Sequence, residues 1–549
     1  MIKYFHSLNI RKTLFDFYKN HKILLVILFI GFVIRVLPIL WGVPVNPYVM
    51  SYHPDEPKVY TDIMNFPRAY LTFAQFKGYG TFIQNSLGML FLPLKLLKLI
   101  ASQNIYEIAV IVLSRFINVI IGTSAIAFTY FLAVSIFEKK TALIASAFLT
   151  VSFYHVINSS IITLDVAMSL LIVINFQICF FAIKKDDLKS YILLGISSGL
   201  LLGTKVTGIL FMLIPVVLIF LNTGNSSNKV LPDRRTIVKR IQKILVYFVV
   251  ASFIFLLFNS YVYLYPARYL NFLLDQKKYL IDRSFIPIWQ MPLTWIKTTD
   301  ISTGFPVAML LIVGLARMRK RNLYMQLVLF FFLFEYYTFW RWSIQPRYII
   351  SIAPLICIFA ANAVVYFYEK KNVIIKIATA GVFLFTVIYS SYLSISGILL
   401  RFNDTRTEAS RYIDKNIKKG STIGVSYTSE EFTGRYHAWR YPRINYKKYK
   451  SEDFINEPDV IILSSYDFYK ISRLLNSHKL NDKYELDNKY YREWYRYSPP
   501  GPRLLRRFDE LLNHRDSKYK LIKTFKKEIN VPVEFPPPEI RIYKKVKKI

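Results

Sequence analysis

Through its first 400 residues the chain alternates long apolar runs with short basic loops, and beyond them the alternation stops. The apolar runs cover residues 23–40, 105–137, 141–157, 164–183, 191–203, 206–221, 244–264, 305–316, 323–340, 348–368 and 373–400. A helix needs roughly 17–25 apolar residues to cross a bilayer, and most of these runs approach that length. The pattern predicts a polytopic α-helical membrane protein with about eleven spans. Residues 81–100 are also apolar but carry Lys95 and Lys98, which suits an amphipathic helix lying in the interface. Residues 41–104 then form a long first outer loop containing interfacial helices.

The basic residues between runs set the orientation. Lys139-Lys140, Lys184-Lys185 with Lys189, residues 229–243, residues 317–321 and Lys370-Lys371 mark cytoplasmic loops through the positive-inside bias. Lys3, Arg11, Lys12, Lys19 and Lys22 precede the first run, and no small-residue cleavage site follows it. It therefore reads as an uncleaved span with a cytoplasmic N-terminus, in the plasma (cytoplasmic) membrane. Alternating from there, with residues 81–100 kept outside, puts His53, Asp55, Glu56, the 155–165 turn, Lys205, the 265–303 loop, Arg341 and Gln345-Pro346-Arg347-Tyr348 on the outer face.

Residues 401–549 are rich in Lys, Arg, Tyr, Asp and Pro and hold no run long enough to span. Residues 405–417 show a helical period, and 421–426, 460–464 and 539–543 read as strands. The predicted division is a membrane domain over 1–400 and an extracytoplasmic α/β domain over 401–549, about 150 residues and a normal domain size. Two stretches there mix aromatic and basic residues, 436–441 and 490–497. Such residues stack on sugars, grip phosphates or face lipid headgroups. The second runs into Ser498-Pro499-Pro500-Gly501-Pro502, which is expected to form a stiff flap over the outer cavity and shape an acceptor site.

Composition narrows the class. A chain of 549 residues that is 54% hydrophobic is too apolar for an ordinary soluble enzyme. The formal charge of +36 would suggest nucleic acid, but it is dispersed among interhelical loops. It fits topology and attraction to anionic membrane lipids instead, and nucleic acid is not an expected partner. Cys179 and Cys357 each sit in an apolar run and imply no disulfide framework.

The chemistry gathers at Ser51-Tyr52-His53-Pro54-Asp55-Glu56-Pro57, in the first outer loop. Carboxylates beside a bilayer are costly and tend to mark function. They can take a proton from an attacking hydroxyl, while cations can stabilise the charge on a leaving phosphate. A phosphate at membrane level with an apolar tail describes a polyprenyl-phosphate sugar, and the reaction class is then glycosyl transfer. Asp165 serves equally as an acid at a helix N-terminus. Lys205 fits a phosphate ligand or a lysine snorkelling to the interface. Arg347 and Tyr348 fit phosphate contact or an interfacial anchor. His53 fits a hydrogen-bonding loop histidine better than a metal ligand, because no spaced ligand set accompanies it. Arg35 lies inside the first span and requires a partner that the sequence does not name.

In order and spacing these residues resemble the GT-C glycosyltransferases of the protein O-mannosyltransferase and aminoarabinose-transferase type. The matching pieces are His53-Pro54-Asp55-Glu56, Ser114-Arg115, Asp165 and Gly203-Thr204-Lys205-Val206-Thr207-Gly208. Further on come Gln345-Pro346-Arg347-Tyr348 with Pro354, and Arg406, Ala409 and Ile413. The resemblance implies an inverting transferase in which Asp55 is the base on the acceptor and Glu56 supports it. It implies that Asp165 is a second outer acid, and that Lys205, Arg347 and Tyr348 contact the lipid phosphate. Arg115 supports the site by anchoring the interface or pairing with an acid. The implied partners are a polyprenyl-phosphate-linked sugar and a glycan, lipid or protein acceptor. Many members of this group use no metal and others a divalent ion, so the resemblance leaves a cation open. The competing classes are a lipid-linked-glycan transporter or flippase and a non-catalytic subunit of a surface-glycan assembly complex. A transporter tends to show paired inverted repeats, and none is visible.

Overall fold

The computed structural model describes residues 10–43, 51–72, 80–96, 103–221, 234–281, 290–318, 346–425, 442, 444, 448–453, 456–466, 468, 480–481, 485–486, 502–533 and 536–546. The chain divides into two compact units. One comprises Met1–Ile39 and Lys58–Ile398, the other Leu40–Pro57 and Leu399–Ile549. The segment that carries Asp55 therefore belongs with the C-terminal residues and not with the helices that flank it in sequence.

Six helices among the described residues are long and apolar enough to cross a membrane, and the last of them runs on from the first unit into residues of the second. They are His21–Leu40, Ile105–Ile136, Leu164–Lys185, Ile237–Phe258, Pro346–Tyr368 and Val373–Asn416. Leu188–Thr204, Val206–Val217 and Phe305–Ala316 are shorter apolar helices. The 323–340 run, Arg341, Gln345 and the 436–441 and 490–501 stretches lie outside the described residues. Ala353–Tyr368, entered through the Pro346–Ile352 turn, is the central helix and is almost wholly buried. Its Ala360, Ala361 and Ala363 are fully buried. Gly314 abuts the Phe359 backbone so closely that a Cβ would not fit. Small residues of this kind let helices approach where lipid supplies no hydrophobic drive. On the basic side, Asp187 caps Leu188–Thr204 by accepting from the Ser190 N–H at 2.8 Å. The Ser190 hydroxyl, and after it this backbone bond, hold the Asp187 carboxyl below the usual aspartate range.

Two expected spans are corrected. The 141–157 run is not one straight helix but Lys139–Thr150 and Phe153–Ser159, bent by 61°. A helix end leaves its last carbonyls without partners. Here side chains from other helices fill them. Arg35 donates to the Leu149 and Thr150 carbonyls at 3.0 and 3.1 Å, and Ser394 Oγ donates to that of Val151 at 2.9 Å. The 244–264 span instead ends at Phe258. Asn259 follows, its Oδ1 accepting from the Thr81 N–H at 2.9 Å and its Nδ2 donating to the Phe255 carbonyl at 2.8 Å.

The second unit is built on a five-stranded sheet. In chain order the strands are β1 (Thr422–Val425), β2 (Lys450–Asp453), β3 (Val460–Ser464), a separate hairpin of β4 (Leu480–Asn481) and β5 (Glu485–Leu486), then β6 (Tyr519–Phe525) and β7 (Ile540–Lys545). The sheet order is β2-β1-β3-β7-β6. β1 pairs in parallel with β2 and β3, and β7 pairs antiparallel with β3 and β6. Strand period 2 sends alternate residues to opposite faces. Val460 and Ile462 join Ala409 and Ile413 of the Thr405–Asn416 helix, and Ile461 and Leu463 join Phe508 and Leu511 of Pro502–Leu512. The sheet is thus covered by a helix on each face.

Candidate functional site

Four of the expected site residues meet in the first unit. Asp165 sits in the first turn of Leu164–Lys185, Lys205 ends Leu188–Thr204, and Arg347 and Tyr348 lie in the short Pro346–Ile352 turn that leads into the central helix. Lys205 Nζ donates to Asp165 Oδ1 at 2.6 Å, and both side chains are nearly enclosed. The same ammonium lies 4.9 Å from the centre of the Tyr348 ring, and the Arg347 guanidinium 5.6 Å from it. A cation over an aromatic face is held by the ring quadrupole. Asp165 is not the N-cap, which is Thr163, but it stands in the first turn, where a helix N-terminus favours an acid, and its carboxylate also accepts from Lys205.

The local backbone explains why Lys205 can be held there. It has an extended conformation between Leu188–Thr204 and the Val206–Gly208 turn. Gly80 lies against the backbone of Gly203 and Thr204, and its φ of +105 is one that residues with a Cβ rarely adopt. A Cβ there would overlap the Gly203 carbonyl. Thr81 then bonds Asn259, which fastens this loop segment to the end of Arg234–Phe258.

Above Asp165, the 158–163 turn is fixed from helix Gln103–Ile136. Asn118 Nδ2 donates to the carbonyls of Asn158 at 3.1 Å and Ile161 at 2.5 Å. Arg115, one turn earlier and fully buried, donates to the Ile39 carbonyl at 2.6 Å. Arg35 supplies the missing partner list for the first span. Besides the two carbonyls at the bend it donates to Gly31 O at 3.0 Å and to His155 Nδ1 at 2.9 Å. With Nδ1 accepting, His155 carries its proton on Nε2, which faces Ser169 Oγ at 3.1 Å; Ser169 donates onward to the Val166 carbonyl at 2.7 Å. Arg35 thus braces the bend against the turn that bears Asp165. Replacing Arg35 by Met should cost about 1–3 kcal/mol for each buried acceptor left unmatched. The check is thermal unfolding of the detergent-solubilised protein, with a lower midpoint expected.

The other acids are in the second unit. Glu56 opens the helix Glu56–Met64 and is fully buried, receiving a hydrogen bond from Ser51 Oγ. The same Ser51 Oγ accepts from the His53 N–H at 3.0 Å, and the Asp55 N–H points to His53 Nδ1 at 3.3 Å. This is a wound loop in which Glu56 and His53 shape the backbone while Asp55 stays half-exposed. Among the described residues, no three His, Cys, Asp or Glu side chains converge as cation ligands would.

Sequence alone did not single out Trp41, Asn118, His155, Asn259 or Asp404, all of which hold site segments in place. The one available signal was positional: Asp404 directly precedes a helical period, where N-caps occur.

The sequence profile of the dolichyl-phosphate-mannose-protein mannosyltransferase family matches residues 105–258. No curated protein matches the chain as a sequence relative. Two solved structures are alike in fold. Archaeal oligosaccharyltransferase AglB from Archaeoglobus fulgidus, in complex with an inhibitory peptide and a dolichol-phosphate, is 13% identical with a TM-score of 0.50, over 77% of this chain and 64% of that one. ArnT from Cupriavidus metallidurans bound to undecaprenyl phosphate is 12% identical with a TM-score of 0.50, over 82% of this chain and 94% of that one. This chain therefore spans less than two thirds of the archaeal enzyme's length.

Proposed function

We propose, from the GT-C glycosyltransferase fold that this integral membrane chain has, that it moves a sugar from a polyprenyl-phosphate carrier to an acceptor hydroxyl on the outer side of the membrane, with inversion. The observation that carries this is the cation site, where Asp165 orients Lys205 over Tyr348 beside Arg347. An ammonium has three donors and Asp165 occupies one. The remaining donors suit phosphate oxygens, with a second cation, Arg347, on the same ring. The lipid phosphates named with both solved neighbours support the same choice of ligand.

The chemistry is a single displacement. The acceptor oxygen attacks the anomeric carbon as Asp55 takes its proton. The bond from that carbon to the phosphate oxygen breaks, and the polyprenyl phosphate leaves with the electron pair. Lys205 and Arg347 stabilise the charge that develops on it. Asp165 acts through Lys205 and is a positioning residue. Glu56, buried against Ser51, shapes the loop. The topology that accompanies this reading counts the bent pair, the shorter helices and the 323–340 run as crossings, about eleven in all. The N-terminus is then cytoplasmic and residues 401–549 lie outside.

Purified protein incubated with labelled polyprenyl-phosphate sugars and membrane extract tests the reading. We expect a labelled acceptor to appear together with sugar-free polyprenyl phosphate. Transfer from no such donor, with no binding of the lipid phosphate, would overturn it.

A further inference from the structure

Residues 40–57 and 399–407 are separated by some 350 positions in the chain, yet they share one buried polar network. Its centre is Asp404. Oδ1 accepts from the Arg406 backbone N–H and from Arg406 Nε, both at 2.9 Å. Oδ2 accepts from Arg406 Nη2 at 2.6 Å and from Trp41 Nε1 at 3.0 Å. Asp404 thereby caps the Thr405–Asn416 helix and holds a two-pronged guanidinium at the same time. Arg406 has one more prong, and Nη1 donates it to the carbonyl of Tyr52 at 3.2 Å. The guanidinium also lies 4.0 Å from the centre of the Tyr52 ring, and the Tyr52 hydroxyl meets Thr407 Oγ1 at 3.0 Å. Gly42, at φ +63, packs so tightly on Tyr52 that a Cβ would stand 2.9 Å from its ring. Arg401 stacks on Trp41 at 4.4 Å.

Trp41 and Tyr52 are thus both gripped by the same short segment, Asp404 to Thr407. Tyr52 is three residues from Asp55, and the intervening His53 is itself hydrogen-bonded to Ser51 and toward Asp55. Arg406 and Asp404 are essentially solvent-inaccessible. A charge pair this enclosed is weak evidence of stabilisation, because a well-packed apolar pair would often serve as well. What it supplies that an apolar pair does not is a fixed distance and angle to a backbone carbonyl.

We propose that Arg406 is a positioning residue for Asp55, and that the C-terminal unit is through it a component of the catalytic apparatus and not an accessory domain. The proposal rests on the reading of Asp55 as the acceptor base. A misplacement of about 1 Å at a reacting group costs on the order of 100-fold in rate, so a loosened clamp should be felt mainly in kcat.

The test compares Arg406→Lys, which keeps the charge but loses the fork, with Arg406→Ala and Tyr52→Phe. In Arg406→Lys we expect kcat to fall about 100-fold with KM for the polyprenyl-phosphate sugar unchanged. Tyr52→Phe should lose less, since it removes the hydroxyl bonded to Thr407 but keeps the ring and the carbonyl that Arg406 grips. Guanidinium ion added to Arg406→Ala should restore part of the rate, and an alkylammonium ion should not. Amide hydrogen exchange over residues 51–57 should quicken in both Arg406 variants relative to the 460–464 strand. That readout needs no turnover, so it judges the clamp even if the protein transfers no sugar. Wild-type kcat in folded Arg406→Lys, or unchanged exchange over 51–57, would overturn the proposal. Equal loss of kcat, donor binding and thermal midpoint without guanidinium rescue would overturn it too, by showing a purely structural role.

Discussion

Asp55→Asn should abolish transfer in practical terms while leaving the protein folded and able to bind its donor. Asn is close to Asp in shape and still accepts a hydrogen bond, but it takes no proton at neutral pH. General-base catalysis contributes roughly 10²–10⁴-fold, and that is the expected drop in kcat. Stability should change little, because Asp55 is half-exposed and its contact to His53 runs through the backbone N–H, which Asn keeps. Glu56→Gln supplies the contrast. Glu56 is fully buried and accepts from Ser51, so its loss should lower the thermal midpoint and affect kcat less. The measurement is initial rate against donor concentration for each variant, beside equilibrium binding of the lipid phosphate. Wild-type turnover in Asp55→Asn would remove the base from the mechanism and with it the role given to the first outer loop.

The separation of these two acids shows where sequence reasoning reaches and where it stops. Adjacent carboxylates between prolines announce a special loop, yet spacing cannot say which one is turned inward. Ser51, five residues back, decides it by folding over Glu56. Regular elements were legible because their signals are local. The 460–464 strand and the helix from 405 appear where their periods put them, and the central helix follows from an unbroken apolar run. The break after Thr150 was not legible. Residues 141–157 contain neither Pro nor Gly, the usual causes of a sharp kink. The cause lies elsewhere in the chain, in Arg35 and Ser394, whose donors satisfy the carbonyls that the break exposes. The same holds for the clamp on Tyr52. An arginine some 350 residues away leaves no mark on the loop it holds. Arg35 stood out as a charge inside an apolar run and Arg406 only as part of the family pattern, and three-dimensional contact alone shows what each one holds.

Lys205 and Asp165 give the second large effect, and here the expected result is a split between stability and activity. Lys205→Met removes the ammonium and leaves Asp165 nearly enclosed without its cation. Breaking one side of such a pair typically costs about 3–5 kcal/mol, so the thermal midpoint should fall clearly. Transfer should fall as well, by about 10²–10³-fold, because a charge aimed at the leaving phosphate is gone. Adding Asp165→Asn to that variant removes the stranded carboxylate. The double variant should regain much of the lost stability, a coupling of roughly 0.5–3 kcal/mol between neighbours. It should regain none of the lost transfer, because no cation has returned. Asp165→Asn alone should sit between, keeping the ammonium but losing the bond that aims it. Thermal unfolding, lipid-phosphate binding and initial rates on the four proteins of this cycle read all three quantities. Recovery of transfer together with stability in the double variant would show that the pair only braces two helices, and the leaving phosphate would then need its cation from somewhere other than Lys205.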